Sequence, residues 1–261
     1  MEEFSGGRAP DLLAQSRAYY WYHCIELQDG VITDGDYQML DYLGNYKFPD
    51  SMAGMHVLDV GRASGFFAFE FERRGAAVTA TEINSFLDWD FVGGAAERSK
   101  RRTAIADIDA YTRHHITGAF HFAHATRQSA VKPVTATIYD LSLDLLQASR
   151  PFDLVFAGSV TSHLRDPMRG LARLRDVTAE GGTCVVAAPY IGLDEGLAQL
   201  AMVAGDPDRR SWWVMNKRCL TDMLLNVGFS SARIVAQFNL ALKRKIDGVG
   251  TVTHIVAHAT A

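Results

Sequence analysis

At 261 residues the chain can bury the core of one large α/β domain with additions, and a hydrophobic content of 48% is that of an ordinary globular protein. A formal charge of -4 and a pI near 6.1 supply no global basic field, which weighs against nucleic acid as a partner. Cys24, Cys184 and Cys219 lie far apart with no CxxC pair, which argues against a disulfide framework or a cysteine-ligated metal and fits a reducing compartment.

Met1 to Pro10 is acidic and lacks the apolar core of a signal peptide, and no apolar run reaches the roughly 18 residues of a membrane span. The expectation is a soluble cytoplasmic chain, monomeric or homodimeric. Asp11–Gln28 reads as helical and is rich in aromatics (Tyr19, Tyr20, Trp21, Tyr22) before breaking at Asp29-Gly30, and Asp34-Gly35 marks a second turn. Residues 1–50 are therefore expected to form a cap over a main domain spanning 51–261.

From Met55 strands and helices alternate. Strands are predicted at His56–Val60, Ala77–Thr81, Thr135–Tyr139, Phe152–Ala157, Thr183–Ala188, Ser231–Gln237 and Thr251–Ala257. Helices are predicted at Gly65–Arg74, Pro167–Ala179 and Lys217–Asn226, with Pro167 suited to a first turn and Gly181-Gly182 placed as a stop. The connection Phe238 to Gly250 is too short for a crossover helix, so the last strand is expected to run antiparallel. The fold class is α/β: a doubly wound, seven-stranded sheet. Between the second and third strands, an insertion at about 84–134 is expected to hold helices at Ala95–Asp109 and Ala119–Ala130, around Gly118, and to form a lid or substrate wall.

Asp59-Val60-Gly61-Arg62-Ala63-Ser64-Gly65 reads as the end of a buried strand, a glycine turn and the start of a helix. Such a turn lets backbone approach a ligand at the carboxyl edge of a parallel sheet. Glu82 ends the next strand, where an acid accepts hydrogen bonds from both hydroxyls of a ribose. Asp140 and Leu141 follow the third strand and Gly158-Ser159 the fourth, placing an acceptor for an adenine amino group and two small residues at the same edge. The pattern predicts a nucleoside-containing cofactor.

His163, just past the fourth strand, is the first candidate for a general base, and His23 in the cap the second. Tyr22, Trp212 and Asn216 are expected on the substrate side, with Tyr19, Tyr22, Phe66 and Trp212 as aromatic company for a cationic group. His114-His115, His121 and His124 lack metal-ligand spacing, so no metal is expected.

The order of elements and the Asp-x-Gly-x-x-x-Gly run at Asp59, Gly61 and Gly65 resemble the class I S-adenosylmethionine-dependent methyltransferases, over residues 55–82 and 135–190 with the topology continuing to Ala257. Trp21-Tyr22-His23, Asp29-Gly30, Tyr139-Asp140-Leu141, Gly158 through Pro167, Trp212-Trp213 with Asn216, and Gly228-Phe229 look like the branch that holds the transfer-RNA wobble-uridine carboxymethyltransferases and their small-molecule relatives. The resemblance implies a Rossmann-like sheet, S-adenosylmethionine as cofactor, and a site built on Asp59, Gly61, Arg62, Gly65, Glu82, Asp140, Leu141, Gly158 and Ser159.

The carboxymethyltransferases carry tyrosine where this chain has Ser162, and no arginine stands in Thr251-Val252-Thr253-His254, so plain methyl transfer is expected over use of a carboxylated cofactor. The leading expectation is methylation of an oxygen on a small molecule. One alternative is a transfer-RNA enzyme with a basic groove from Arg98–Arg102, Arg209-Arg210, Lys217-Arg218 and Lys243–Lys245. The other is a non-catalytic S-adenosylmethionine-binding protein, suggested by Arg62 in the glycine turn.

Overall fold

A computed structural model describes residues 9–91, 94–102, 104–192, 195–203, 211–243 and 250–261. In chain order the helices and strands are α1 (Ala9–Ser16), β1 (His56–Val60), α2 (Phe66–Arg73), β2 (Ala77–Glu82), α3 (Ala95–Arg102), α4 (Ile108–Thr112), α5 (Gly118–Arg127) and β3 (Lys132–Thr135). They continue with β4 (Phe152–Gly158), α6 (Pro167–Val177), β5 (Thr178–Pro189), β6 (Leu200–Met202), β7 (Trp213–Met215), α7 (Lys217–Asn226), β8 (Ser231–Leu240) and β9 (Val252–Thr260).

Seven strands form one sheet in the order β3-β2-β1-β4-β5-β9-β8, and β6 pairs with β7 as a separate ribbon. The first five strands of the large sheet are parallel, and β9 inserts antiparallel between β5 and β8. This is the Rossmann-like arrangement with its last strand reversed. β1 lies inside the sheet, between β2 and β4, with four of its five residues buried, as a parallel strand covered on both faces requires. One face packs Phe67, Phe71 and Phe156 against Tyr46 and Phe48 of the cap segment, with the Phe48 ring 4.8 Å from Phe71 and 5.3 Å from Phe156. The other face buries Leu171, Leu174, Leu220 and Leu224 against Val155 and Ile255. Among the described residues, no helix is long and apolar enough to cross a membrane.

Four local expectations need correction. The third strand is Lys132–Thr135, and Ile138–Asp140 forms a 3-10 turn instead of a strand. Pro133 has no N–H to give a ladder, yet β3 is the sheet edge, where that loss is tolerated. The apolar Ile138 and Leu141 that suggested a strand are buried on the face of the sheet that carries α6. The helix expected at Ala95–Asp109 is split into α3 and α4, because Asp107 caps a new helix by accepting from the Ala110 N–H at 2.9 Å. Asp11–Gln28 is helical only to Ser16, whose carbonyl accepts from the Trp21 indole at 2.8 Å; the aromatic run beyond passes through turns and bends, with the Tyr19 N–H on the Ser16 carbonyl at 3.1 Å. Finally, α6 ends at Val177, before Gly181-Gly182, and Thr178 already pairs with Phe152 ahead of a register shift.

The cap is tied to the glycine turn. The Ser64 hydroxyl accepts from the Tyr22 N–H at 3.0 Å, and Cys24 and Tyr37 are joined by a 2.9 Å backbone hydrogen bond.

Candidate functional site

The carboxyl ends of β1, β2 and β4 open into a cleft of about 840 Å³. Gly61 follows β1 at φ +76°, in the region that favours glycine, and it and Arg62 both donate to the Thr81 carbonyl at 3.0 Å. Ala63 also takes a positive φ, +48°, which is costly for a residue with a Cβ. It turns the Ala63 N–H onto Glu82 Oε2 at 2.9 Å, while the Ile83 N–H meets Oε1 at 3.0 Å. Two backbone donors thus fix the Glu82 carboxylate at the cleft wall, and an ionised carboxylate keeps lone pairs for two further donors. Gly158 and Ser159, at the end of β4, face the same space, and the Ser159 hydroxyl lies 3.0 Å from His254 Nε2.

Behind the turn lies a buried polar layer that does not reach the cleft. Asp59 is 1% exposed and binds the Ala68 N–H in the first turn of α2, leaving Oδ2 without a partner. Burial pushes its carboxyl up to about 7, with Arg62 opposing and Glu82 reinforcing the shift. The Arg62 guanidinium, itself buried, rests 4.1 Å above the Phe120 ring of α5. Gly65 caps α2 at φ +95°, where a Cβ would meet Phe69 and Phe120 at 2.7 Å. His23 is buried against Phe66, Phe67 and Tyr22, and desolvation drives it down to about 3, so it is neutral at ordinary pH.

These two buried groups have opposite pH signatures. Asp59, raised from 3.8, binds more protons folded than unfolded, so its contribution falls as pH rises from about 4 to about 7. His23, lowered from 6.5, binds fewer protons folded, so its contribution is lost as pH falls below about 6.5 toward 3. In denaturant titrations Asp59→Asn should leave stability falling on acidification, whereas His23→Gln should leave it falling with rising pH between about 4 and 7. Parallel pH profiles in the two variants would contradict this placement.

His163 does line the cleft. Its ring lies edge-on to Trp89 at 4.9 Å, and its Nδ1 is 3.4 Å from the Ser211 hydroxyl. Beside it is a junction that sequence reasoning missed. Asp90 Oδ2 accepts from the Tyr139 hydroxyl at 2.6 Å and the Arg165 N–H at 2.7 Å, and Oδ1 accepts from Arg165 Nε at 2.5 Å. The Asp90 carbonyl accepts from the Trp212 indole at 3.1 Å. Burial alone would raise the Asp90 carboxyl, but these hydrogen bonds and the Arg165 charge hold it below its ordinary value. Asp90 sits in the long insertion among residues with no recognisable spacing, so nothing in the sequence singled it out.

Other expected residues land elsewhere. Asp140 is exposed and bonded to the Thr137 hydroxyl at 2.5 Å, and Leu141 is in the core; Thr137, Ile138 and Tyr139 line the cleft instead. Tyr22 lines it; Trp212 and Asn216 do not. Asn216 is fully buried and caps α7: Oδ1 accepts from the Cys219 and Gln199 N–H groups at 2.9 and 3.0 Å, and Nδ2 donates to the Leu197 carbonyl at 2.7 Å. Asn216→Ala should therefore cost stability, about 2 kcal/mol in chemical unfolding, and leave ligand binding largely intact.

Three residues of the expected basic groove have partners within the chain. Lys217 lies over Tyr190, Arg218 pairs with Asp222, and Lys243 pairs with Asp34. Arg209, Arg210, Arg244 and Lys245, and the side chains of Arg98, Arg101 and Arg102, lie outside the described residues.

The sheet order, the glycine turn after β1 and the acid ending β2 define the fold of the class I S-adenosylmethionine-dependent methyltransferases. Comparison with solved structures agrees. The N-terminal domain of EvdMO1, crystallised in the presence of SAH (S-adenosylhomocysteine) and D-fucose, superposes with a TM-score of 0.55 at 16% identity, covering 97% of this chain and 96% of that one. The larger EvdMO1 structure gives 0.57 at 16% identity, covering 100% of this chain and 50% of that one. In sequence, 95 residues (36% of this chain) are 28% identical to a tRNA U34 carboxymethyltransferase of Alteromonas mediterranea, a match that spans 29% of that enzyme's length. No family model matches the chain.

Proposed function

We propose that the protein is a methyltransferase that uses S-adenosylmethionine to methylate an oxygen on a small molecule. The observation that carries this reading is the Glu82 carboxylate, held by the Ala63 and Ile83 N–H groups at the wall of a cleft that His163 also lines. Its remaining lone pairs suit the two hydroxyls of a ribose. Thr137, Ile138 and Tyr139 offer a partly apolar surface for the adenine, and the glycine turn brings backbone close to the remainder. When bound, the cofactor supplies an activated methyl group.

What the chain itself must do is orient the acceptor, exclude water and move one proton. His163 would take the proton from the acceptor hydroxyl, steadied by Trp89 and Ser211. His23, buried and hard to protonate, has no part in this reading. A small acceptor is supported by the related fold crystallised with a free sugar. A transfer-RNA substrate has the 95-residue match in its favour, while Lys217, Arg218 and Lys243 are each engaged within the chain.

Calorimetric titration with S-adenosylmethionine and S-adenosylhomocysteine tests the proposal. Micromolar binding of both is the expected result. Absence of binding to either would overturn it.

A further inference from the structure

Beyond the cofactor edge the cleft is walled by rings: Tyr20, Tyr22, Trp89, Phe91, Tyr111 and His115 all line it. Four of them fall into two groups. In the first, Tyr111 and His115 are stacked, with centroids 4.1 Å apart and planes 25° from parallel, and Tyr20 closes on His115 at 5.2 Å. This grouping depends on a π-helical turn, Arg113–Thr117, between α4 and α5. Widened turns of this kind redirect side chains and recur at functional sites. In the second group, Trp89 stands against His163 at 4.9 Å, and its neighbour Asp90 anchors the segment to Arg165, Tyr139 and Trp212.

Many of the polar groups on this side are carried by rings, the hydroxyls of Tyr20, Tyr22 and Tyr111 and the imidazoles of His115 and His163, with Ser99 and Ser211 beside them. Asp90 is among the acceptors there, but both of its carboxylate oxygens and its carbonyl are already engaged. A saturated polyol would exchange water for π faces over much of its surface. A flat ring gains offset-stacked or edge contacts beyond simple area burial.

We propose that the acceptor is a hydroxylated aromatic ring, a phenol-like compound, held among Trp89, Tyr111 and His115; this rests on the methyltransferase reading above. The chemistry agrees with a histidine base. A phenolic hydroxyl ionises near 10, as in tyrosine, so a neutral imidazole can assist its ionisation. The phenolic oxygen would form a bond to the methyl carbon as the carbon–sulfur bond breaks, its electron pair remaining on sulfur. The phenolic proton passes to His163, and the products are an aryl methyl ether and S-adenosylhomocysteine.

The test uses the full chain saturated with S-adenosylhomocysteine and titrated with 2-naphthol, its saturated counterpart decahydro-2-naphthol, and D-fucose. Decahydro-2-naphthol is the more apolar of the bicyclic pair, so a merely greasy cleft would prefer it. The expected result is binding of 2-naphthol at least about tenfold tighter than either other probe, a gap of the size one or two ring contacts supply. Tyr111→Leu and Trp89→Leu should each remove most of that preference while S-adenosylhomocysteine still binds, and Tyr111→Phe should retain it. Equal affinities, tighter binding of D-fucose, no measurable binding of 2-naphthol, or a preference that survives both leucine substitutions would overturn the inference. Failure of S-adenosylhomocysteine itself to bind would overturn the methyltransferase reading beneath it.

Discussion

Glu82→Ala should weaken S-adenosylhomocysteine binding on the order of 100-fold, read by calorimetry. Two hydrogen bonds from ribose hydroxyls to a charged acceptor are each worth about 1.5–3 kcal/mol, and tenfold in affinity is about 1.4 kcal/mol. The substitution also frees the Ala63 and Ile83 N–H groups, which the carboxylate holds at 2.9 and 3.0 Å. Ala63 sits at φ +48° with its N–H on that carboxylate, so the turn should relax once the acceptor is gone. Glu82→Gln keeps the shape but presents a donor where an acceptor is needed, and should lose about tenfold. Thermal unfolding of both variants should stay near wild type because Glu82 is only partly buried and water can replace it. An unchanged affinity in Glu82→Ala would mean that the cleft does not hold a ribose at this wall.

Gly35→Ala should be the most damaging single methyl in the cap. A Cβ at Gly35 would lie 2.2 Å from the His23 carbonyl carbon and 2.4 Å from the Cys24 nitrogen, both backbone atoms that no rotamer change can move. The two segments are locked around that contact: the Asp36 N–H meets the Trp21 carbonyl at 3.0 Å, and the Cys24 N–H meets the Tyr37 carbonyl at 2.9 Å. Making room must displace Tyr22, whose side chain lines the cleft and whose N–H is bound to Ser64 of the glycine turn. Overpacking of this kind costs about 3 kcal/mol, which for a chain of this size lowers Tm by roughly 6–12 °C. Amide exchange should rise across residues 21–37. Gly44→Ala is the matched control: its Cβ meets nothing within 4 Å, so stability should change by less than about 1 kcal/mol. Equal behaviour of the two variants would contradict the packing of the cap against the turn.

The sequence by itself determined the sheet and two residues of the cleft at its carboxyl edge. Buried parallel strands read as continuous apolar runs, and β1, β2 and β4 begin at the expected residues, His56, Ala77 and Phe152. The short link after β8 foretold the reversed last strand, because a crossover needs more chain than that. Gly61 and Glu82 were legible for a similar reason: a positive φ and a carboxylate at a strand end leave local signatures, and both residues line the cleft.

Tertiary structure decided the rest. Asp59 and Arg62 share the motif with Gly61, but only packing against Ala68 and Phe120 turns them inward, away from the cleft. Asn216 looked like a substrate contact and is a buried helix cap, a difference set by Gln199 and Leu197 from another segment. Histidines carry no mark of their surroundings. His23 is neutralised by the phenylalanines of α2, whereas His163 stands in the cleft beside Trp89. The Asp90 junction joins residues up to 122 positions apart in the chain, and the π turn that sets His115 beside Tyr111 arises where two helices meet under the cap. Contacts of that range have no period and no spacing rule. They exist once the insertion has folded onto the sheet, so the strand-end wall of the cleft is written in local chain geometry and its aromatic wall in long-range packing.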